Sequence, residues 1–244
     1  MISYQTTVEN KLIILHLKFL YINCKIILKM SYRRSKRIFD IVLSLLLLII
    51  LSPVLLLSAL LIWITDREEI FVKEPLRIGM KGKEFKMYKF RTMIPNAHSE
   101  IENNPMYAKT KEKWIKHDGK LKISEDQRIT WIGKILRKTD IDELPQLLNV
   151  IRGEMSVVGP RPMYMGEVNR YLAKNSLGRK YIKRTLRVRP GMTGIWQVSG
   201  RNEIKFKDRV VLESKYAAHI NFKDDLKIFF KTPLVVLTRK GVYE

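Results

Sequence analysis

The sequence predicts a mostly helical α+β chain: a re-entrant, helix-break-helix membrane segment, then a domain with short strands and interfacial amphipathic helices. Three observations predict it. Residues 41–64 carry no charge, Ser52-Pro53 falls at the centre of that run, and cations crowd both of its flanks. The rest of the chain is polar and strongly basic, with 46 Lys+Arg against 24 Asp+Glu and a net charge of +22.

Composition narrows the classes. A hydrophobic content of 46% is too high for a disordered basic tail. A mean hydropathy of −0.13 is too low for a multi-span membrane protein. The single cysteine, Cys24, rules out an intrachain disulfide and a cysteine zinc site. His16, His98, His117 and His219 are scattered, and neither a P-loop nor a G-x-G-x-x-G after a strand-like run occurs. The charge suits an anionic surface or anionic substrates.

Residues 1–30 read as an N-terminal extension, either an extra amphipathic helix or upstream sequence ahead of a natural start at Met30-Ser31. Residues 31–66 hold the membrane helix. Its apolar run is long enough to span a bilayer, but Pro53 removes one backbone hydrogen bond and breaks or kinks it. Each half is only about 16 Å long at the helical rise. Lys29, Arg33, Arg34, Lys36 and Arg37 precede the run; Arg67, Lys73, Arg77, Lys81, Lys83 and Lys86 come after it. Positive residues mark the cytoplasmic side, so two positive flanks favour a hairpin that enters and leaves on one face over a single kinked span. Asp40 at the entry suits a contact with that basic face.

Residues 67–244 form the cytosolic domain. Residues 78–93 read as a β-hairpin around a glycine turn, and residues 96–128 as short helices and loops with breakers at Asn103-Asn104-Pro105 and His117-Asp118-Gly119. Residues 131–152 are helical in two pieces, and residues 155–158 form a short strand before the rigid Gly159-Pro160-Arg161-Pro162 turn. Residues 187–201 read as strand, Pro-Gly turn, strand and glycine turn; residues 205–221 are helical. In the last segment Leu226, Phe229, Phe230, Pro233, Leu234 and Leu237 share one helix face, flanked by Lys223, Lys227, Lys231, Arg239 and Lys240. That pattern fits a helix lying in a membrane interface.

The densest group of reactive side chains is Asp140-Ile141-Asp142-Glu143. Two readings stand. Asp140 as N-cap with Glu143 three residues on makes a capping box. Alternatively, a carboxylate kept ionised at a helix N-terminus can attack phosphorus, and its neighbour can help hold Mg²⁺. Asp140-x-Asp142 is also formally the D-x-D of metal-dependent nucleotide-sugar glycosyltransferases. Lys89 and Arg91 alternate onto one strand face. Arg161 projects from a backbone stiffened by two prolines, with a guanidinium suited to phosphate. A basic membrane-surface adaptor or nucleic-acid binder would also explain the charge, though no nucleic-acid motif is present.

Four stretches, FDIVLSLLLLIILSPVLLL, YKFRTM, DELPQLLNVIRGEMSVVGPRP and RPGMTGIWQVSGR, closely resemble the bacterial sugar transferase family, the monotopic polyprenyl-phosphate phosphoglycosyl transferases, in its small single-domain form. The resemblance runs from about residue 31 to about residue 240. It implies transfer of a sugar-1-phosphate from a UDP-sugar to undecaprenyl phosphate with release of UMP, at the bacterial inner membrane with the catalytic domain facing the cytoplasm. It implies a helix broken at Ser52-Pro53, Mg²⁺ dependence, an anionic lipid surface and no nucleic acid as partner, and it admits a homodimer. Asp142 matches the nucleophile and Glu143 its dyad partner, both near the metal. Lys89, Arg91 and Arg161 match phosphate-facing positions, and Arg201 the S-G-R turn near the nucleotide. The sequence departs from the pattern at Pro75, where a Gln is expected, and at Asp140, where Ser is frequent.

Overall fold

The computed structural model describes the backbone of residues 2–67, 69–72, 75–116 and 121–238, and within these the side chains from Tyr32 onward except His98 and Lys116. The expectations for the character of residues 1–30, the His117-Asp118-Gly119 breaker, and the cations Lys73, Arg239 and Lys240 lie outside the described residues. Residues 1–39 and 40–244 are two compact units. The second holds the apolar run and, among the described residues, every strand and every later helix.

Helix α1 (Ile2–Asp66) contains the apolar run. The expected break is a proline inside a continuous helix. Pro53 has no N–H to donate to the Ile49 carbonyl four residues back. The Ser52 hydroxyl donates to that same carbonyl at 2.8 Å, so the proline leaves no orphaned acceptor. Burial along this helix is inverted relative to a soluble helix. Asp40, Ser44 and Ser58 are buried together with Ile62, whereas Val42, Leu46, Ile49, Ile50, Leu56, Leu57 and Trp63 are exposed. Small and polar residues face protein and large apolar ones face outward, as hydrocarbon surroundings require. The stretch Tyr32–Asp66 is long and apolar enough to cross a membrane.

Asp40 ties α1 to the domain core. Its carboxylate accepts from the Ser156 hydroxyl at 2.7 Å and from the Val157 N–H at 3.1 Å. These belong to β3 (Ser156–Val158), which pairs in parallel with β4 (Gly191–Thr193). The two chains approach very closely where the strands end. A Cβ at Gly191 would lie 2.0 Å from Gly159 N, and one at Gly194 2.1 Å from Gly159 O.

The expected hairpin is reduced to β1 (Arg77–Ile78) and β2 (Glu84–Phe85), antiparallel around a 3₁₀ turn at Met80–Gly82. Beyond Phe85 the only β pairings before residue 95 among the described residues are isolated bridges at Phe71–Phe90 and Met93–Ile129. Then come α2 (Ala97–Asn103), α3 (Ala108–Lys116), α4 (Trp131–Lys138), a 3₁₀ turn (Ile141–Gln146) and α5 (Leu147–Arg152). Thr130 caps α4 by accepting the Gly133 N–H at 3.0 Å. After β3 come α6 (Met165–Lys174) and α7 (Arg179–Thr185).

Of the two strands expected within residues 187–201, the first is absent and the second survives only as β4. Residues 187–189 are not strand, and β4 gives way to α8 (Ile195–Ser199). The β-branched and aromatic residues there favour a strand locally. Their partner, however, runs into Pro160 and Pro162, which have no N–H to extend a ladder. The chain closes into a helix instead. Helices α9 (Phe206–Ala218) and α10 (Phe222–Leu237) complete the fold.

Three buried clusters hold these elements together. One joins Phe85, Val150, Val157, Val158, Val198 and Ile228. A second joins Ile78, Met163, Tyr171, Ile182 and Val210. The third sets Ile62 of α1 against Phe90, Ile132 and Leu136. On α10 the inward side carries Ile228 and Asp225, while Phe230, Leu234 and Leu237 of the expected apolar face are exposed. That face is therefore divided: Phe229 packs against the first cluster, while Phe230, Leu234 and Leu237 stay uncovered.

Candidate active site

The chain segment 89–91 is clamped from two sides. Val72 N–H donates to Lys89 O at 2.9 Å and Arg91 N–H to Ile70 O at 2.8 Å, while Phe90 N–H donates to Asp142 O at 3.0 Å. Asn149, fully buried on α5, fixes the preceding residues: its Oδ1 accepts from Tyr88 N–H at 2.8 Å and its Nδ2 donates to Lys86 O at 2.7 Å. These bonds deliver Lys89 to the acidic pair. Its Nζ lies 2.7 Å from Asp142 Oδ2 and 3.4 Å from Glu143 Oε1.

The two carboxylates differ. Asp142 is 2% exposed, whereas the Glu143 side chain is about a quarter exposed, at 24%. Burial raises the Asp142 pKa above the ordinary carboxylate value, against the pull of Lys89 and with the push of Glu143. For Glu143, burial acts in the same upward direction, but Lys89, Arg161 and Arg201 together outweigh it and hold the group below its ordinary value. Adjacent acids driven apart in this way are suited to different roles. The expectation that a helix N-terminus keeps Asp142 ionised is thus corrected. Desolvation dominates, and the compensation comes from Lys89.

The capping box is also absent. Asp140 stands in the left-handed region at φ 55° and its side chain caps no backbone N–H; the segment it begins is a 3₁₀ turn that runs through Pro145. Its carboxylate instead pairs with Arg201, itself at φ 51°. Asp140 and Asp142 therefore face different cations and do not converge as a D-x-D metal pair.

Arg161 and Glu143 share a pocket wall with Arg77, Gln146, Met192 and Gln197. The Arg161 guanidinium lies over the Trp196 ring at 4.8 Å and Arg77 over Tyr164 at 4.8 Å. Lys89, Asp142, Glu143, Arg161 and Arg201 are thus brought together. Arg91 is not: its guanidinium turns to Asp66 at the end of α1, 3.5 Å away. Alternation along the strand put Lys89 and Arg91 on one face, but the clamp by residues 70–72 and by Asp142 separates their partners. Ser52 and Pro53 lie in α1, outside this group.

Sequence reasoning missed Arg77, Arg137 and Gln146. Arg137 on α4 donates from Nε to Thr92 Oγ1 at 2.8 Å and adds a cation acting on Asp142. The signal was available: Arg137 precedes the acidic pair by five residues, and Arg77 sits in the R-x-G just past the departure at Pro75.

The donor set suits Mg²⁺ in one way only. Two carboxylates are present beside a wall carrying Arg77 and Arg161, and no cluster of three or more His, Cys, Asp or Glu side chains occurs among the described residues. Mg²⁺ commonly binds through one or two carboxylates, substrate phosphates and waters, and Asp142 with Glu143 fits that arrangement.

Comparison with known proteins places the chain in a family. The family model described as Bacterial sugar transferase matches residues 31–239. The chain is 41% identical over 221 residues to the undecaprenyl-phosphate galactose phosphotransferase of Salmonella typhimurium, covering 88% of this chain and 43% of that protein. It is 42% identical to the exopolysaccharide production protein ExoY of Sinorhizobium fredii, covering 86% and 88% respectively. It is 35% identical to the UDP-glucose:undecaprenyl-phosphate glucose-1-phosphate transferase of Klebsiella pneumoniae, covering 85% and 41%. The chain thus spans less than half the length of the Salmonella and Klebsiella proteins and most of the length of the rhizobial one. With the acidic pair, its lysine and the two-proline arginine turn all inside the matched region, the chain belongs to the bacterial sugar transferase family.

Proposed function

We propose that the protein transfers a sugar-1-phosphate from a UDP-sugar to undecaprenyl phosphate, releasing UMP, as a first step in assembling a surface polysaccharide. The observation that carries this reading is Lys89 bridging Asp142 and Glu143 beside the pocket wall that holds Arg77 and Arg161. An Asp142 oxygen attacks the β-phosphorus, and the bond from that phosphorus to the bridging oxygen breaks, so UMP leaves and the phospho-sugar stays on Asp142. An oxygen of the lipid phosphate then attacks the same phosphorus and frees the carboxylate. Lys89 opposes the desolvation that raises the Asp142 pKa and so favours the anionic form needed for attack. A diphosphate entering beside it competes for the same ammonium and uncovers a carboxylate oxygen. Arg77, Arg161 and Arg201 offset the negative charge of the phosphates, the dominant need in phosphoryl transfer. Mg²⁺, held by Asp142 and Glu143 with phosphate oxygens, would supply further charge neutralisation when bound.

The product nucleotide tests this. Detergent-solubilised protein given UDP-sugars and undecaprenyl phosphate should release UMP in a lipid-dependent way. Release of UDP would assign it instead to the nucleotide-sugar glycosyltransferases that transfer the sugar alone.

The proposed membrane arrangement keeps both ends of the apolar helix on the cytoplasmic face, supported by cations on both flanks, and requires the helix, continuous through Pro53, to bend where Pro53 removes a backbone hydrogen bond. In a Cys24→Ser background, single cysteines placed at positions 33 and 67 should label from the same side of sealed vesicles. Labelling from opposite sides would mean a simple span. The exposed Phe230, Leu234 and Leu237 on α10 would add to the contact with an anionic lipid surface.

A further inference from the structure

Glu213 on α9 is 0% exposed, yet it lies outside all four stretches that carry the family resemblance. Its Oε1 accepts the backbone N–H of Arg161 at 2.8 Å. The position of that bond matters. Arg161 lies between Pro160 and Pro162, neither of which has an N–H. The Arg161 N–H is thus the single backbone donor of the Pro-Arg-Pro turn, and Glu213 takes it. On the other side the turn is held by its Pro160 carbonyl, which accepts the Gly191 N–H at 2.8 Å.

The rest of Glu213 is committed less tightly. Its Oε2 accepts no hydrogen bond among the described residues, and its nearest cation is Arg209 Nε at 4.0 Å. Arg209 also lies 3.7 Å from Glu167 Oε2 and stacks on Phe206 at 4.6 Å and on Trp196 at 5.6 Å. Trp196 is the same ring over which the Arg161 guanidinium rests. One buried group thus grips the backbone of Arg161, and its neighbour helps seat the platform under the Arg161 side chain.

We propose that Glu213 is a positioning residue that aims the Arg161 guanidinium into the pocket beside Glu143 by anchoring the Arg161 backbone. The inference rests on the proposed transferase reading, in which Arg161 faces donor phosphate. What Glu213 supplies is an acceptor oxygen at the right reach, and its charge is secondary. Burial, opposed by Arg209 and by Arg161, pushes its pKa up to about 7, with Glu167 adding to the rise. The carboxyl is therefore not fully ionised near neutral pH, while an oxygen remains available to accept.

Two substitutions separate reach from charge. Glu213→Gln keeps the reach and loses the charge. Glu213→Asp keeps the charge and withdraws the acceptor by one methylene. A positioning role predicts that Gln stays within about threefold of wild-type kcat/KM. It predicts that Asp loses about tenfold, mainly through a higher KM for the UDP-sugar. In an Arg161→Lys background the penalty of Asp should shrink to about twofold or less, because the side chain being aimed is no longer there. Thermal unfolding in detergent checks that both variants fold. The opposite order, Asp better than Gln, would overturn the proposal, as would an Asp penalty that persists undiminished beside Arg161→Lys. Failure of the underlying reading looks different: the wild-type protein itself would release no UMP from any UDP-sugar.

Discussion

Asp142→Asn should abolish UMP release, lowering turnover by about 10³-fold or more, if the proposed reading is right and Asp142 forms the covalent bond. The substitution is nearly isosteric, and Asp142 is buried, so packing changes little. What changes is that a neutral amide replaces the carboxylate and cannot form the proposed acyl-phosphate link to phosphorus. Glu143 remains beside Lys89 at 3.4 Å, and the wall with Arg77 and Arg161 is untouched, so binding of UDP should persist. Calorimetric binding of UDP together with a single-turnover assay separates the two. Wild-type-like UMP release from the purified variant would remove Asp142 from the nucleophile's role.

Lys89→Met should be nearly as damaging, for an electrostatic reason. Burial already raises the Asp142 pKa, and Lys89 is the foremost cation opposing it. Without Lys89 that pKa rises further, so less of the nucleophile is ionised at neutral pH. The acid limb of the activity profile should therefore move to higher pH, with activity partly recovered on the alkaline side. Stability obeys the same linkage. A carboxyl whose folded pKa is raised favours the fold when protonated and disfavours it when ionised. The penalty of Lys89→Met should thus be small in acid and grow as pH rises through the raised pKa, reaching about 1–3 kcal/mol at neutral pH. Unfolding curves at several pH values, read beside the pH–rate profile, test both halves. An unshifted acid limb would mean that Lys89 does not govern the ionisation of Asp142.

Local signals along the chain foretold the elements that depend on local rules. The uncharged run became α1, the short apolar segment before Gly159 became β3, and the helical pieces around Asp142 fell where their periodicity put them. Errors arose where a distant partner overrode a local preference. Residues 195–199 carry strand-forming side chains, but the prolines at 160 and 162 end the only ladder they could join. Asp140 has the chemistry of an N-cap, but Arg201 in a turn 61 residues away takes its carboxylate. The acidic pair and Lys89 were legible because each lies in a short motif. That Arg91 serves Asp66 was not, because the clamp on residues 89–91 comes from residues 70–72, which the motif does not contain.

The tie between Asp40 and β3 makes membrane insertion and folding of the domain a single linked equilibrium. A carboxyl group at the rim of an apolar helix is costly while it faces hydrocarbon. It becomes tolerable once the Ser156 hydroxyl and the Val157 amide satisfy it. A chain that has inserted its helix but not assembled β3 carries that cost. A chain that has assembled β3 without the helix leaves the Val157 amide without this acceptor, while the Ser156 hydroxyl falls back on the Val158 carbonyl. Each event therefore raises the equilibrium constant of the other by the same factor, and the half-built forms are selected against without any separate checkpoint.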